Sequence, residues 1–193
     1  MADPFSSVQE MDETIIANWN NKVGNKDLTY LLGDFCFLNK REDILKLRNR
    51  LKGNIVLVEG NHDGNIGNPG NFGFSSKHQL LEVKIEGQYI TLCHYALRVW
   101  PKSHYSSWHL YGHSHNCLPG QGKSIDVGVD ANNFTPLSFE EIKTIMATVP
   151  SKLYKCIIFR STARTRPHNL NWLEKLPGYN QKEYEEYRSI EMS

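Results

Sequence analysis

Four short stretches carry side chains suited to chemistry. They are Gly33-Asp34, Gly60-Asn61-His62-Asp63, His94 and Gly112-His113-Ser114-His115. Each follows an apolar run, and three begin with a glycine that permits a sharp turn. Taken singly, each is ordinary: Gly-Asp marks a turn, and Asn-His-Asp is rich in Asx-turn formers. Taken in order, they would deliver carboxylate, amide and imidazole groups from successive strand ends. Ligand sites in open α/β sheets lie beyond the carboxyl ends of strands. That placement predicts a nitrogen/oxygen metal site built from Asp34, Asn61, His94, His113 and His115. In an extended segment His113 and His115 would point the same way. The pair could then address two metals about 3.5–4 Å apart. Mixed oxygen and nitrogen ligation suits Mn, Fe or Zn better than Ca.

The elements that must position these groups are legible from periodicity. A helix is predicted after Ser7-Val8-Gln9-Glu10, whose form is that of a capping box, with Val8, Met11, Ile15, Ile16 and Trp19 on one face. Leu28–Leu32 reads as a strand. Ile44, Leu45, Leu47 and Leu51 mark a second helix, closed by Gly53. Ile55–Val58 is wholly apolar, as a strand buried on both faces would be. Leu80–Ile85 and Tyr89–His94 read as a hairpin around Glu86-Gly87-Gln88. Trp108–Tyr111 and Ser124–Asp130 are further strands, and Ser138-Phe139-Glu140-Glu141 opens a last helix that Pro150 stops. The expected class is therefore α/β, with a mixed sheet structure flanked by helices.

The order of the four motifs, with the surrounding LLGDFCF, VEGNHD, LYGHSH and SIDVGVDANNFTPLSFEEI, resembles the calcineurin-like metallophosphoesterase superfamily, in particular its small bacterial and phage branch. The likeness covers about residues 4–146. It implies a β-sandwich flanked by helices, and hydrolysis of a phosphoester at two divalent metal ions. It implies that Asp34 bridges both metals, that Asn61, His94 and His113 complete the second site, and that His115 serves the first. His62 would be the acid or electrostatic group near the leaving oxygen, oriented by Asp63, and a metal-bound hydroxide would attack phosphorus in line. The family pattern opens with Asp-x-His after its first strand. No Asp here is followed two places later by His, so the expectation is a chain lacking that strand and motif, with a weak first metal site. Arg98, in the segment after His94, would border the substrate pocket and hold a phosphate bidentately.

Composition bounds the remainder. The chain has 193 residues, 22 basic and 21 acidic, for a net charge of +1, far from the basic excess of a protein that coats nucleic acid by charge alone. No apolar run reaches the roughly 20 residues of a membrane helix, and no signal peptide is visible, which leads to a cytoplasmic expectation. The four cysteines show no metal or disulfide spacing and read as reduced thiols, with Cys36 and Cys93 in the core. Residues 1–150 form the expected domain, with 14 basic and 16 acidic residues. Residues 151–193 carry 8 basic and 5 acidic residues and read as a tail or accessory segment. Within it Leu153–Phe159 is strand-like, a candidate to fill the missing strand's place. The expected partner is a small phosphoester. Two alternatives remain at this level: a non-catalytic metal- or phosphate-binding relative, and a nuclease of the same superfamily, to which only the Arg160–Arg166 patch points.

Overall fold

The computed structural model describes residues 4–151. The expected strand at Leu153–Phe159, the rest of the tail and Cys156 lie outside the described residues. The described chain is an α/β structure with two sheets and three helices. Helix α1 spans Val8–Lys22, α2 Arg41–Asn49 and α3 Phe139–Thr148. Strands β1 (Leu28–Leu31), β2 (Asn54–Val58) and β3 (Ser76–His78) form a parallel sheet in that order. Strands β4 (Leu80–Ile85), β5 (Gln88–Cys93), β6 (Trp108–Tyr111) and β7 (Ser124–Asp126) form a second sheet. There β4 and β5 are antiparallel and the remaining pairs parallel. Among the described residues no helix is long and apolar enough to cross a membrane.

Period-two alternation splits the first sheet between two cores. Ile55 and Leu57 face Ile16 and Trp19 of α1, Val23 just after it and Ile44 of α2. Val58, with Tyr30 and Leu32, joins Ile90, Leu92, Trp108 and Leu110 of the second sheet and Ile142 and Met146 of α3. The wholly apolar β2 sequence is thus explained by burial on both sides. Cys93 is buried and Cys36 partly so, packed against the first core.

Three expectations need correction. Helix α2 ends at Asn49, before Leu51, and Gly53 sits instead in the turn into β2 at φ +90°. Strand β7 stops at Asp126, because the Asp126 carboxylate accepts from the Gly128 amide and the chain turns into a 3-10 turn at Val129–Ala131. Strand β3 was not expected. Ser76-Lys77-His78 has no apolar pattern, and β2 draws it into the sheet.

The capping boxes differ. At α1 the Ser7 hydroxyl accepts from the Glu10 amide, but the Glu10 carboxylate turns to the amide and hydroxyl of Ser6. At α3 the box is complete. Glu141 also accepts from Lys22 Nζ at 2.7 Å, linking α3 to α1. The Lys22 and Ser138 donors hold the Glu141 carboxyl down to about 2. A depressed carboxylate pKa adds stability above its unfolded value, and that stability is lost as the pH falls toward the folded value. The pair is partly exposed, which limits its strength. Glu141→Gln is expected to lower the melting temperature modestly at pH 7. The gap to the unmodified chain should close as thermal melts are taken from about pH 4.5 to pH 2.

Candidate metal centre

Sheet register determines which motifs meet. Leu31 pairs with Leu57, so Gly33-Asp34 and Gly60-Asn61 leave neighbouring parallel strands side by side. Leu92 pairs with Leu110, and the Gly112 amide donates to the His94 carbonyl at 3.0 Å. His94 then joins the two sheets: its Nδ1 donates to the Leu32 carbonyl at 2.7 Å.

The first two loops are pressed together. A Cβ on Gly33 would lie 2.6 Å from the Gly60 Cα and 2.4 Å from His94 Nδ1. One on Gly60 would lie 2.4 Å from Asp34 Oδ1. Gly33 also has φ +87°, which favours glycine. Asp63 fastens this contact. It is 1 % exposed, its Oδ2 accepts from the amides of Asp34 and Gly60, both at 2.8 Å, and its Oδ1 accepts from the Phe35 amide at 2.9 Å. The expectation that Asp63 orients His62 is corrected here. Both of its oxygens are committed to backbone amides, which makes it a clamp between loops.

Around His94 Nε2 stand Asn61 Oδ1 at 3.0 Å, His113 Nδ1 at 3.1 Å and Asp34 Oδ2 at 3.4 Å. Asp34, His94 and His113 form a group whose ligand atoms lie within 4.8 Å of one another. His94 is buried, Asp34 half-buried and His113 exposed. With Nδ1 donating to Leu32, a neutral His94 ring presents Nε2 as an acceptor, whereas a protonated ring would donate from it to the oxygens around it. A proton on His113 Nδ1 could bridge to it, but would leave the Asp34 and Asn61 oxygens without a donor. A divalent cation would satisfy all four atoms together, with both rings neutral. Ligands about 2.0–2.2 Å from a metal stand roughly 3.0–3.5 Å apart, the range of the three separations from His94 Nε2.

The fifth predicted ligand, His115, stands apart. His113, His115 and Asn116 all have positive φ, at 63°, 46° and 57°. The segment is a tight turn, so the same-side argument for an extended strand does not apply. Asp126 fixes the turn by accepting from the Ser114 hydroxyl and the Asn116 amide. His115 Nδ1 is paired with Asp130 at an exposed position. Asp34 Oδ1 accepts from the His62 amide at 2.9 Å. The geometry therefore gathers one four-donor group.

His62 is exposed and sits edge-on to Phe37, ring centroids 4.7 Å apart. Both line a pocket of about 260 Å³ together with Asn61. Arg98 is exposed and has no hydrogen bond or ion pair among the described residues; nothing joins it to the group. Two neighbours escaped the sequence reading. The Tyr95 ring packs edge-on against both His94 and His113, each at 4.9 Å. His109, fully buried, donates from Nδ1 to the Thr91 carbonyl and accepts at Nε2 from the Leu97 amide. Burial pushes its pKa down, so it anchors the segment after His94 as a neutral ring. Strand alternation carries a signal for this, since His109 points opposite to the core residues Trp108 and Leu110.

Comparison with known proteins places the chain among relatives. It is 34% identical over 151 residues to the uncharacterized protein MJ1445 of Methanocaldococcus jannaschii, covering 72% of this chain and 77% of that one. The chain belongs to the MJ1445 family. No family model matches it. The crystal structure of AQ665, a protein of unknown function from Aquifex aeolicus, superposes with a TM-score of 0.60 at 22% identity, covering 74% of this chain and 88% of that one. At that identity the likeness concerns the fold alone.

Because Gly60 and Asp63 position Asp34 through backbone contacts, their variants should separate two effects. Gly60→Ala is expected to displace Asp34 and weaken Mn²⁺ binding at least ten-fold in a titration. Asp63→Asn puts an amide where an acceptor is needed and should cost about 1–3 kcal/mol in denaturant unfolding.

Proposed function

We propose that this chain is a metal-dependent phosphoester hydrolase whose divalent ion is held by Asp34, Asn61, His94 and His113. The observation that carries this reading is the convergence of one Asp, one Asn and two His side chains from four strand ends, with the His94 ring turned by its bond to Leu32 so that Nε2 faces the other three. The resemblance of the motif order to the calcineurin-like metallophosphoesterases supports it. So does the charge: one carboxylate among neutral ligands leaves a bound divalent ion net positive, which an anionic phosphoester requires. When bound, the ion would lower the pKa of a water and neutralise phosphoryl oxygens.

The chain's own groups supply the rest. The Asp34 carboxylate is aimed by the His62 amide, which donates to its Oδ1, so Oδ2 costs little reorganisation. His62 lines the adjoining pocket and is exposed, so its ring can reach a leaving oxygen and donate a proton. The buried Asp63 clamp holds His62 indirectly, through the loop. Of the two metals that the resemblance implies, the four-donor group accounts for one, and the turn of His115 toward Asp130 favours a single tight ion. The same turn favours a second reading, a non-catalytic metal-binding relative.

Titration with Mn²⁺ followed by electron paramagnetic resonance should give one tight equivalent per chain. His113→Ala should lose most of it and His78→Ala none; equal metal content in the two variants would sink the assignment. Hydrolysis of an aryl phosphodiester should be abolished by a chelator and restored by Mn²⁺. His62→Ala should slow it by about 10²–10⁴-fold with metal content unchanged. Tight metal binding with no chelator-sensitive turnover on phosphomonoesters or phosphodiesters would leave the binding-relative reading.

A further inference from the structure

The pocket beside the four-donor group carries chemistry that phosphate binding does not use. It measures about 260 Å³ and is lined by Phe37, Asn39, Asn61, His62, Gly64 and Asn65. Asn61 belongs to both pocket and metal group, so a molecule in one abuts the other. Phe37 is 78 % exposed. It touches His62 edge-on, at 61° between the rings, which leaves most of its surface open to a flat partner. Phe37 is the aromatic carbocycle in a lining that is otherwise Asn, His and Gly, so it offers the pocket its stacking surface.

The two asparagines add a hydrogen-bonding edge. Asn65 Nδ2 donates to Asn39 Oδ1 at 2.8 Å. That bond uses one donor and one acceptor, leaving the Asn39 amide hydrogens and the Asn65 carbonyl oxygen for a ligand. Exchanging the two amide orientations leaves the same complement. An adjacent donor and acceptor match the edge of a nucleobase, and an aromatic ring beside them matches its face. The volume lies below the roughly 300–1,000 Å³ of pockets for drug-sized ligands, which suits one heterocycle and not an extended strand.

We infer that this pocket holds the base of a mononucleotide phosphoester whose phosphate lies at the Asp34, Asn61, His94 and His113 group. The inference rests on the phosphoester reading and narrows its substrate class. Phe37 stacks on the base, Asn39 and Asn65 read its edge, and His62 stands between base and phosphate.

The test uses the full chain with Mn²⁺ and hydrolysis-resistant phosphonates. Calorimetry compares the phosphonate analogue of adenosine monophosphate with its base-free ribose counterpart and with phenylphosphonate. The adenosine analogue is expected to bind at least ten-fold tighter than the base-free one. Phe37→Ala should remove most of that difference, Phe37→Tyr should keep it, and bound Mn²⁺ should be unchanged in both. Phe37 is exposed, so truncation leaves the core intact. Equal affinity of the adenosine and base-free analogues, with Mn²⁺ bound, overturns the inference. Phenylphosphonate binding as tightly as the adenosine analogue, indifferent to Asn39→Ala, overturns it too. If the unmodified chain binds no Mn²⁺, the metal reading falls by itself. Adenosine alone then decides the pocket: Phe37-dependent binding upholds it and no binding rejects it.

Discussion

A buried carboxylate holds the rest of the site in place. Asp63 brings a negative charge to a position 1 % exposed, which is costly unless the charge is fully hydrogen-bonded. It is bonded by three backbone amides, from Asp34, Phe35 and Gly60. Charge-assisted bonds of this kind are about twice as strong as neutral ones. Their geometric effect matters more than their sum. Asp63 draws together two loops that leave different strands, and the loops can approach only because Gly33 and Gly60 lack side chains at the contact. The position of Asp34 is thereby written into the backbone, and its carboxylate needs no side-chain partner of its own to be aimed.

The remaining candidate ligands are held by similar means at a greater distance. His94 reaches across from the second sheet to the Leu32 carbonyl, so one imidazole both bridges the sheets and presents its free nitrogen to the centre. Behind it, His109 is sealed under the segment that carries Tyr95, and Tyr95 covers the rings of His94 and His113. On the far side Asp126 gathers the turn that contains His113. Asp34 has the buried Asp63 behind it, and the turn of His113 has the half-buried Asp126. The rigid elements supply direction, and these buried bonds supply the last ångström.

Much of this was legible in the sequence, for a physical reason. A strand that is apolar throughout, such as Ile55–Val58, must be buried on both sides, and whatever follows it must emerge at a sheet edge. That logic located Asp34, Asn61, His94 and His113, and the structure brings all four together. It failed for His115, because period-two alternation holds only in extended backbone and positive φ values at His113 and His115 break it. The family resemblance implied that Asp63 orients His62, and the backbone amides that occupy both of its oxygens give it a different part. Strand β3 was invisible because its residues are recruited by an existing edge and have little strand pattern of their own. Tyr95 and Phe37 were missed because an aromatic residue next to a functional one gives no periodic signal.

The arrangement also bears on how a site of so few charges would select its ligand. The four donors carry a single formal negative charge, so a divalent ion bound there would retain positive charge toward the outer side. An anion is attracted, but charge alone does not distinguish one phosphate from another. Discrimination must come from what adjoins the ion, and on that side the chain offers Phe37, His62 and the Asn39–Asn65 pair in place of lysine or arginine. A lining without lysine, arginine or carboxylate would leave the anion's attraction directed mainly at the ion, and shape, stacking and hydrogen bonding to sort the attached group. Because His62 is fixed through its own amide to Asp34, the group that would deliver a proton and the group that would hold the ion move as one unit. Repacking that loop for a different ligand would therefore disturb both, whereas Phe37 and Asn39, lying before α2 and outside the Asp63 clamp, can change without disturbing the ligands.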